Sequence, residues 1–154
     1  MTETDFIAQA VETWQINARL NPYLIQALNL ESWAKKVEKC KFPQGHFAHV
    51  HNVRLMWLKS AAPELLEGLD KLEDASIELT LVALAASAEA MAKMIQTGFE
   101  TGRIKGFKPH PSAFLGYIIA HESFHRAQVE LCLRQLGTPI DDKTAYGLWE
   151  WGTR

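Results

Sequence analysis

The run His121-Glu122-Ser123-Phe124-His125 carries the most specific chemistry in this chain. Imidazoles four residues apart lie one above the other on a helix, so both rings can reach one point in space. Phe114, Tyr117, Ile118, Phe124 and Cys132 fall on the same side of the helical wheel, which predicts that this point lies in an apolar seam. Imidazole in such a seam needs a partner, and a divalent metal ion is one of the few that satisfies two rings at once.

The other histidines are His46, His49, His51 and His110. The first three form a second cluster, on another predicted helix. Two ligands from one helix and a third from a facing helix make a three-histidine site with positions left open for water or substrate. Neutral imidazole suits zinc, nickel, iron or copper, so ligand type alone does not choose the metal. On the wheel His46 follows the Val50-Val53-Trp57 stripe, and His49 sits beside Val53 and Met56 at its edge. His51 lies further round, near Phe47 and Leu58. Periodicity prefers His46 or His49 and does not separate them. His110 stands between Pro109 and Pro111 and reads as a loop or cap residue. Glu122 is the candidate catalytic base or partner to a ligand, and its plainer reading is a surface or helix-facing charge.

Punctuation residues divide the chain into the elements that must hold these rings. The first helix opens near Thr4-Asp5, and Asn21-Pro22 is expected to break or restart it, because proline has no amide proton to donate. Leu24, Ile25, Leu28, Trp33 and Val37 continue in one or two short helices. Phe42-Pro43-Gln44-Gly45 precedes a second helix over about His46–Ala62, with Phe47, Val50, Val53, Met56 and Trp57 as its apolar stripe. A charged connection leads to a third helix, capped by Asp74 or Ser76 and ending near Gly102. The fourth runs over about Ser112–Leu136, with Gly137 as its left-handed cap and Pro139 beyond. The tail Tyr146-Gly147-Leu148-Trp149-Glu150-Trp151 is too aromatic for a solvated end and is expected to pack on the bundle or on a second subunit. No stretch alternates with period two. The expectation is an all-α, four-helix bundle with short extra helices, in a single domain over residues 1–154.

Composition narrows the function classes. The chain has 154 residues, 16 basic and 18 acidic, with a formal net charge of -2 and no basic block, which argues against nucleic acid as its partner. No apolar run is long enough to span a bilayer. The first residues lack the pattern of a signal peptide. Cys40 and Cys132 form no CxxC pair, and Cys132 reads as a small core residue. A cytoplasmic protein is the expectation.

Two rival readings of the histidines are weaker. His121-Glu122-Ser123-Phe124-His125 matches the HExxH pattern of zinc peptidases. Such an enzyme needs a third ligand further along. Glu130 is too near on the same helix, and Asp141, Asp142 and Glu150 lie in the tail. The strand that would hold a peptide is missing as well. A carboxylate-bridged di-iron bundle needs two Glu-x-x-His motifs, and only Glu122 to His125 supplies one.

Ala48-His49-Val50 with Arg54 and Trp57, followed by His121-Glu122-Ser123-Phe124-His125-Arg126-Ala127-Gln128, resembles the DinB/YfiT-like superfamily of small bacterial metal-binding bundles. Its late motif resembles HxxxHRxQ, and the resemblance covers essentially the whole chain. It implies a crossover between the second and third helices, and a divalent metal held by His49, His121 and His125. It thus favours His49 over His46 and His51. Arg126 and Gln128 match the motif: Arg126 points away from the ligand face, toward an ion-pair or packing role, and Gln128 could donate a hydrogen bond to a ligand. Characterised members include S-transferases using low-molecular-weight thiols such as bacillithiol or mycothiol, which implies a metal-dependent thiol transferase with zinc or nickel, or iron next. A homodimer is implied too. The alternatives are a metal-dependent hydrolase and a non-enzymatic metal- or small-ligand-binding stress protein.

Overall fold

The computed structural model describes residues 2–38 and 41–154, so Cys40 lies outside the described residues. Four long helices form the body: α1 (Glu3–Ala27), α2 (Pro43–Ala61), α3 (Ile77–Thr101) and α4 (Pro111–Gln135). A short α5 (Asp142–Gly147) follows, and 3-10 turns lie at Leu30–Ser32, Pro63–Leu66 and Trp151–Thr153. There is no strand among the described residues. The helices pack as a bundle, with α3 and α4 each lying against both α1 and α2.

Local chemistry sets the helix ends. Thr2 and Asp5 form a reciprocal capping box at the start of α1, with Asp5 N–H to Thr2 Oγ1 at 3.2 Å and Thr2 N–H to Asp5 Oδ2 at 2.9 Å. Ser76, not Asp74, caps α3 by accepting from the Leu79 amide. His110 caps α4, its Nδ1 accepting from the Ala113 amide at 3.1 Å. Pro43 and Pro111 occupy first turns, where the missing amide proton costs nothing.

Pro22 does not break α1. A proline inside a helix costs about 3 kcal/mol. Leu20, Asn21, Leu24 and Ile25 on either side of it are all buried. Burying an apolar side chain contributes about 1.5–3 kcal/mol, so packing of both turns outweighs the local penalty. The helix therefore runs on to Ala27, and only Leu30–Ser32 remains as a separate turn.

Two apolar clusters fill the bundle. One gathers Trp14, Leu58, Met91, Ile95, Phe114 and Ile118. The other gathers Leu24, Ile25, Phe47, Val50, Val129 and Leu133, with Leu148 of the tail packed against it. Cys132 is fully buried. Met56, placed on the α2 stripe by periodicity, is exposed. The tail divides likewise: Trp151 is half-buried, whereas Tyr146 is exposed and Trp149 is 83% exposed.

Candidate metal centre

His121 and His125 from α4 meet His49 from α2, and each offers one ligand atom within 4.8 Å of the others. The rings are half-buried at the edge of the bundle, so the meeting point is a rim and not the closed seam expected from the wheel. Tyr117 and Phe124 show the same shift: Phe124 is 58% exposed and stands edge-on to His125. Phe114, Ile118 and Cys132 fill the true core face of α4.

The spacing fits an ion. His49 Nε2 and His121 Nε2 stand 3.4 Å apart. Two nitrogens roughly 2.0–2.1 Å from a zinc ion, at the tetrahedral angle, are about 3.4 Å apart. The Nδ1 of His121 is buried with no hydrogen-bond partner among the described residues. With both rings neutral, the long contact to His49 is a poor substitute for a shared cation between two lone pairs.

The rings are held neutral. Burial, then the neighbouring imidazoles and the Lys41 ammonium, push His125 down to about 4. His49 and His121 are lowered too, chiefly by burial. Neutral imidazole is the ligand form. The sign for the metal-free protein follows. These groups have folded pKa values below the unfolded value of 6.5, so the unfolded chain takes up protons first as pH falls. Stability is full above about 6.5 and declines toward 4. Melting curves in chelator at stepped pH should show this fall, and it should flatten when all three histidines are alanine. An unchanged slope in that variant would place the acid sensitivity elsewhere.

Of the other two histidines of α2, His51 stands apart from the triad and His46 touches it. His51 is buried, with Nδ1 3.0 Å from Ser87 Oγ and Nε2 2.8 Å from the Asp70 carbonyl, so both its nitrogens are used. It ties α2 to α3 and to the connection between them. His46 is buried, and its Nδ1 lies 3.0 Å from His125 Nδ1. Gln128 is half-buried on the ligand side of α4.

Glu122 is not a surface charge. It is completely buried, about 100° round α4 from its half-buried neighbour His121. Arg54 of α2 grips it with two bonds, Nε to Oε1 at 2.7 Å and Nη2 to Oε2 at 3.0 Å. Asn17 and Asn21 of α1 each donate to Oε2 at 2.9 Å. Arg126 stands 3.9 Å away and donates to the side-chain oxygens of Asn17 and Asn21. Burial alone would push Glu122 up, but the attraction and hydrogen bonds of Arg54, with Arg126 and Asn21, outweigh it and hold the carboxyl below its usual range. Burial lowers Arg126 to about 10, which Glu122 partly offsets. Sequence reasoning missed Asn17, Asn21 and Arg54 as partners of Glu122. The available signal was polar side chains at i and i+4 on an otherwise apolar face of α1.

The DinB family model matches residues 1–151. The chain belongs to the DinB family. No curated protein and no solved structure matches it. The DinB match and the three converging imidazoles agree on a site that could hold a metal ion. No helix is long and apolar enough to cross a membrane among the described residues.

Proposed function

We propose that this DinB protein is a metal-dependent transferase that activates a low-molecular-weight thiol for attack on a small electrophile. The observation that carries the reading is the convergence of three neutral imidazoles at an open rim. His49, His121 and His125 would hold a divalent ion, zinc or nickel first and iron next, and leave positions free. When bound, such an ion lowers the pKa of a thiol and seats its thiolate.

The chain's own residues shape what comes next. Tyr117 is stacked on His121 at 24° and 6.3 Å. Trp57, Phe107 and Phe114 pack behind it, with centroids 5.2–5.7 Å apart. This aromatic wall shields one side of the site from water and offers a surface to an apolar electrophile. The thiolate sulfur would form the new bond to carbon as the leaving group departs with its electron pair. Hydrolysis at the same ligands would call on a general base. Glu122 has both oxygens engaged by Arg54, Asn17 and Asn21, which favours thiol transfer over that alternative. Exposed Leu79 and Val82 on α3 are side chains that a second copy would cover in a homodimer.

The test is an assay of metal-loaded protein with bacillithiol, mycothiol or cysteine and a chromogenic halogenated aromatic. Turnover should track metal occupancy and fall at least about 100-fold in His121→Ala and His125→Ala. Full activity in those variants would end the proposal.

A further inference from the structure

A buried ion pair joins the two helices that carry the triad. Arg54 of α2 holds both carboxylate oxygens of Glu122 of α4, at 2.7 and 3.0 Å, and both side chains are 0% exposed. Arg54 lies five residues beyond His49, and Glu122 stands in sequence between His121 and His125. The far ends of the pair are pinned as well. Arg54 Nη1 donates to the Leu84 carbonyl at 2.8 Å and to Ser87 Oγ at 3.2 Å, both on α3. Asn17 and Asn21 of α1 hold Glu122 Oε2. All four long helices thus meet at this pair.

A buried ion pair returns little net stability, because taking two charges out of water costs about as much as their attraction gives back. What it supplies is direction. The apolar cluster that holds Leu55, Leu58, Phe114 and Ile118 is bound by forces that specify no direction. Two N–H···O bonds from one planar guanidinium do specify it, and they tolerate little displacement. The triad needs that constraint. His49 Nε2 and His121 Nε2 stand 3.4 Å apart, and a slide of α2 by one turn would carry them apart by about 5.4 Å. We infer that Arg54 is a positioning residue, whose two-bonded grip on Glu122 sets the register of α2 against α4 and so holds His49 opposite His121 and His125. Neither end of the pair can swing to follow a slide, since α1 and α3 hold both ends.

The inference rests on the metal-site reading, and the two are tested apart. Arg54→Lys keeps the buried positive charge and loses the fork. Arg54→Met with Glu122→Gln removes both charges. Ile95→Ala, in the core about two turns along α3 from Ser87, is the control for lost stability alone. The first measurement uses metal-free protein, at a temperature where each variant is folded. The rings of His49 and His121 have centroids 5.4 Å apart, so their protons should give a nuclear Overhauser contact in the wild type. Ile95→Ala should keep that contact, and Arg54→Lys should lose most of its intensity. The second measurement is chelator competition with zinc. Arg54→Lys and the double variant should bind about 10–100-fold more weakly, the range for losing a group behind a metal ligand, while Ile95→Ala binds as the wild type does. Cobalt in place of zinc should show weaker, shifted visible absorption in the two pair variants, the mark of distorted tetrahedral ligation. An undiminished ring contact in folded Arg54→Lys, or wild-type zinc affinity in the double variant, would overturn the positioning role. An equal loss of affinity in Ile95→Ala would do the same, since stability alone would then explain it. If neither pair variant folds, the pair is a stability element and the inference falls. If wild-type protein takes up no metal while the ring contact depends on Arg54 as stated, the metal-site reading fails and the positioning role stands.

Discussion

Glu122→Gln should destabilise the protein by about 3–5 kcal/mol, the cost of breaking a buried ion pair from one side. The substitution keeps the volume of the side chain and removes only its charge. Among the described residues, Arg54 would then be a fully buried cation with no anion beside it, and Arg126 would lose the one carboxylate it pairs with. A domain of this size is stable by roughly 5–15 kcal/mol, so the variant should sit near the edge of folding at 37 °C. Arg54→Met should cost a similar amount, because it strands Glu122 instead and removes the cation over the Trp14 ring. The double variant Arg54→Met, Glu122→Gln should cost less than the sum of the two singles. Denaturant titration of the four proteins measures this. Strictly additive losses would mean that the pair is not coupled. The pH sign is separate from that of the histidines. Glu122 is held below its usual range, so its contribution is present above the unfolded carboxylate pKa near 4.5 and is lost as pH falls through the lower folded value. Acid should therefore unfold the wild type in two ranges, histidines first.

The bundle was legible because helix patterning and capping chemistry are local. Ser76, His110, Pro111 and Gly137 mark helix ends by side-chain and backbone chemistry that needs no tertiary partner. Pro22 misled for the opposite reason. Its local penalty is real, but buried neighbours from α1 decide the outcome, and burial is a property of the assembled bundle. The i, i+4 pair on α4 was readable from spacing alone. Periodicity set His51 aside but could not choose between His46 and His49, because they lie about one turn apart on α2. What separates them in the structure is the far side of each contact: Ser87 and Asp70 for His51, His125 for His46, and His121 for His49. Glu122 was left between a surface and a helix-facing reading by the same limit. A charge next to two histidines on a helix could face water or the bundle, and only Arg54, Asn17 and Asn21, from two other helices, make burial tolerable.

His121→Ala should behave in the opposite way to its neighbour Glu122→Gln. His121 is half-buried at the rim, and its Nδ1 is buried without a partner among the described residues. Truncating it removes a polar group that burial penalises, so the metal-free fold should change by less than about 1 kcal/mol. Metal binding should fall by at least about 100-fold, since two imidazoles remain where three converge. The same holds for His49→Ala and His125→Ala. Saturating zinc should raise the wild-type stability by roughly 2.7 kcal/mol at 100 times the dissociation constant, and none of the three variants should show that gain. Elemental analysis beside melting curves with and without zinc reads both quantities. About one metal per wild-type chain, and none in the variants, is the expected result. A variant that keeps full zinc stabilisation would remove its histidine from the ligand set. Two adjacent residues of α4 thus divide the labour by face. His121 looks to the rim and costs stability in return for a site, while Glu122 looks inward and holds three helices around it.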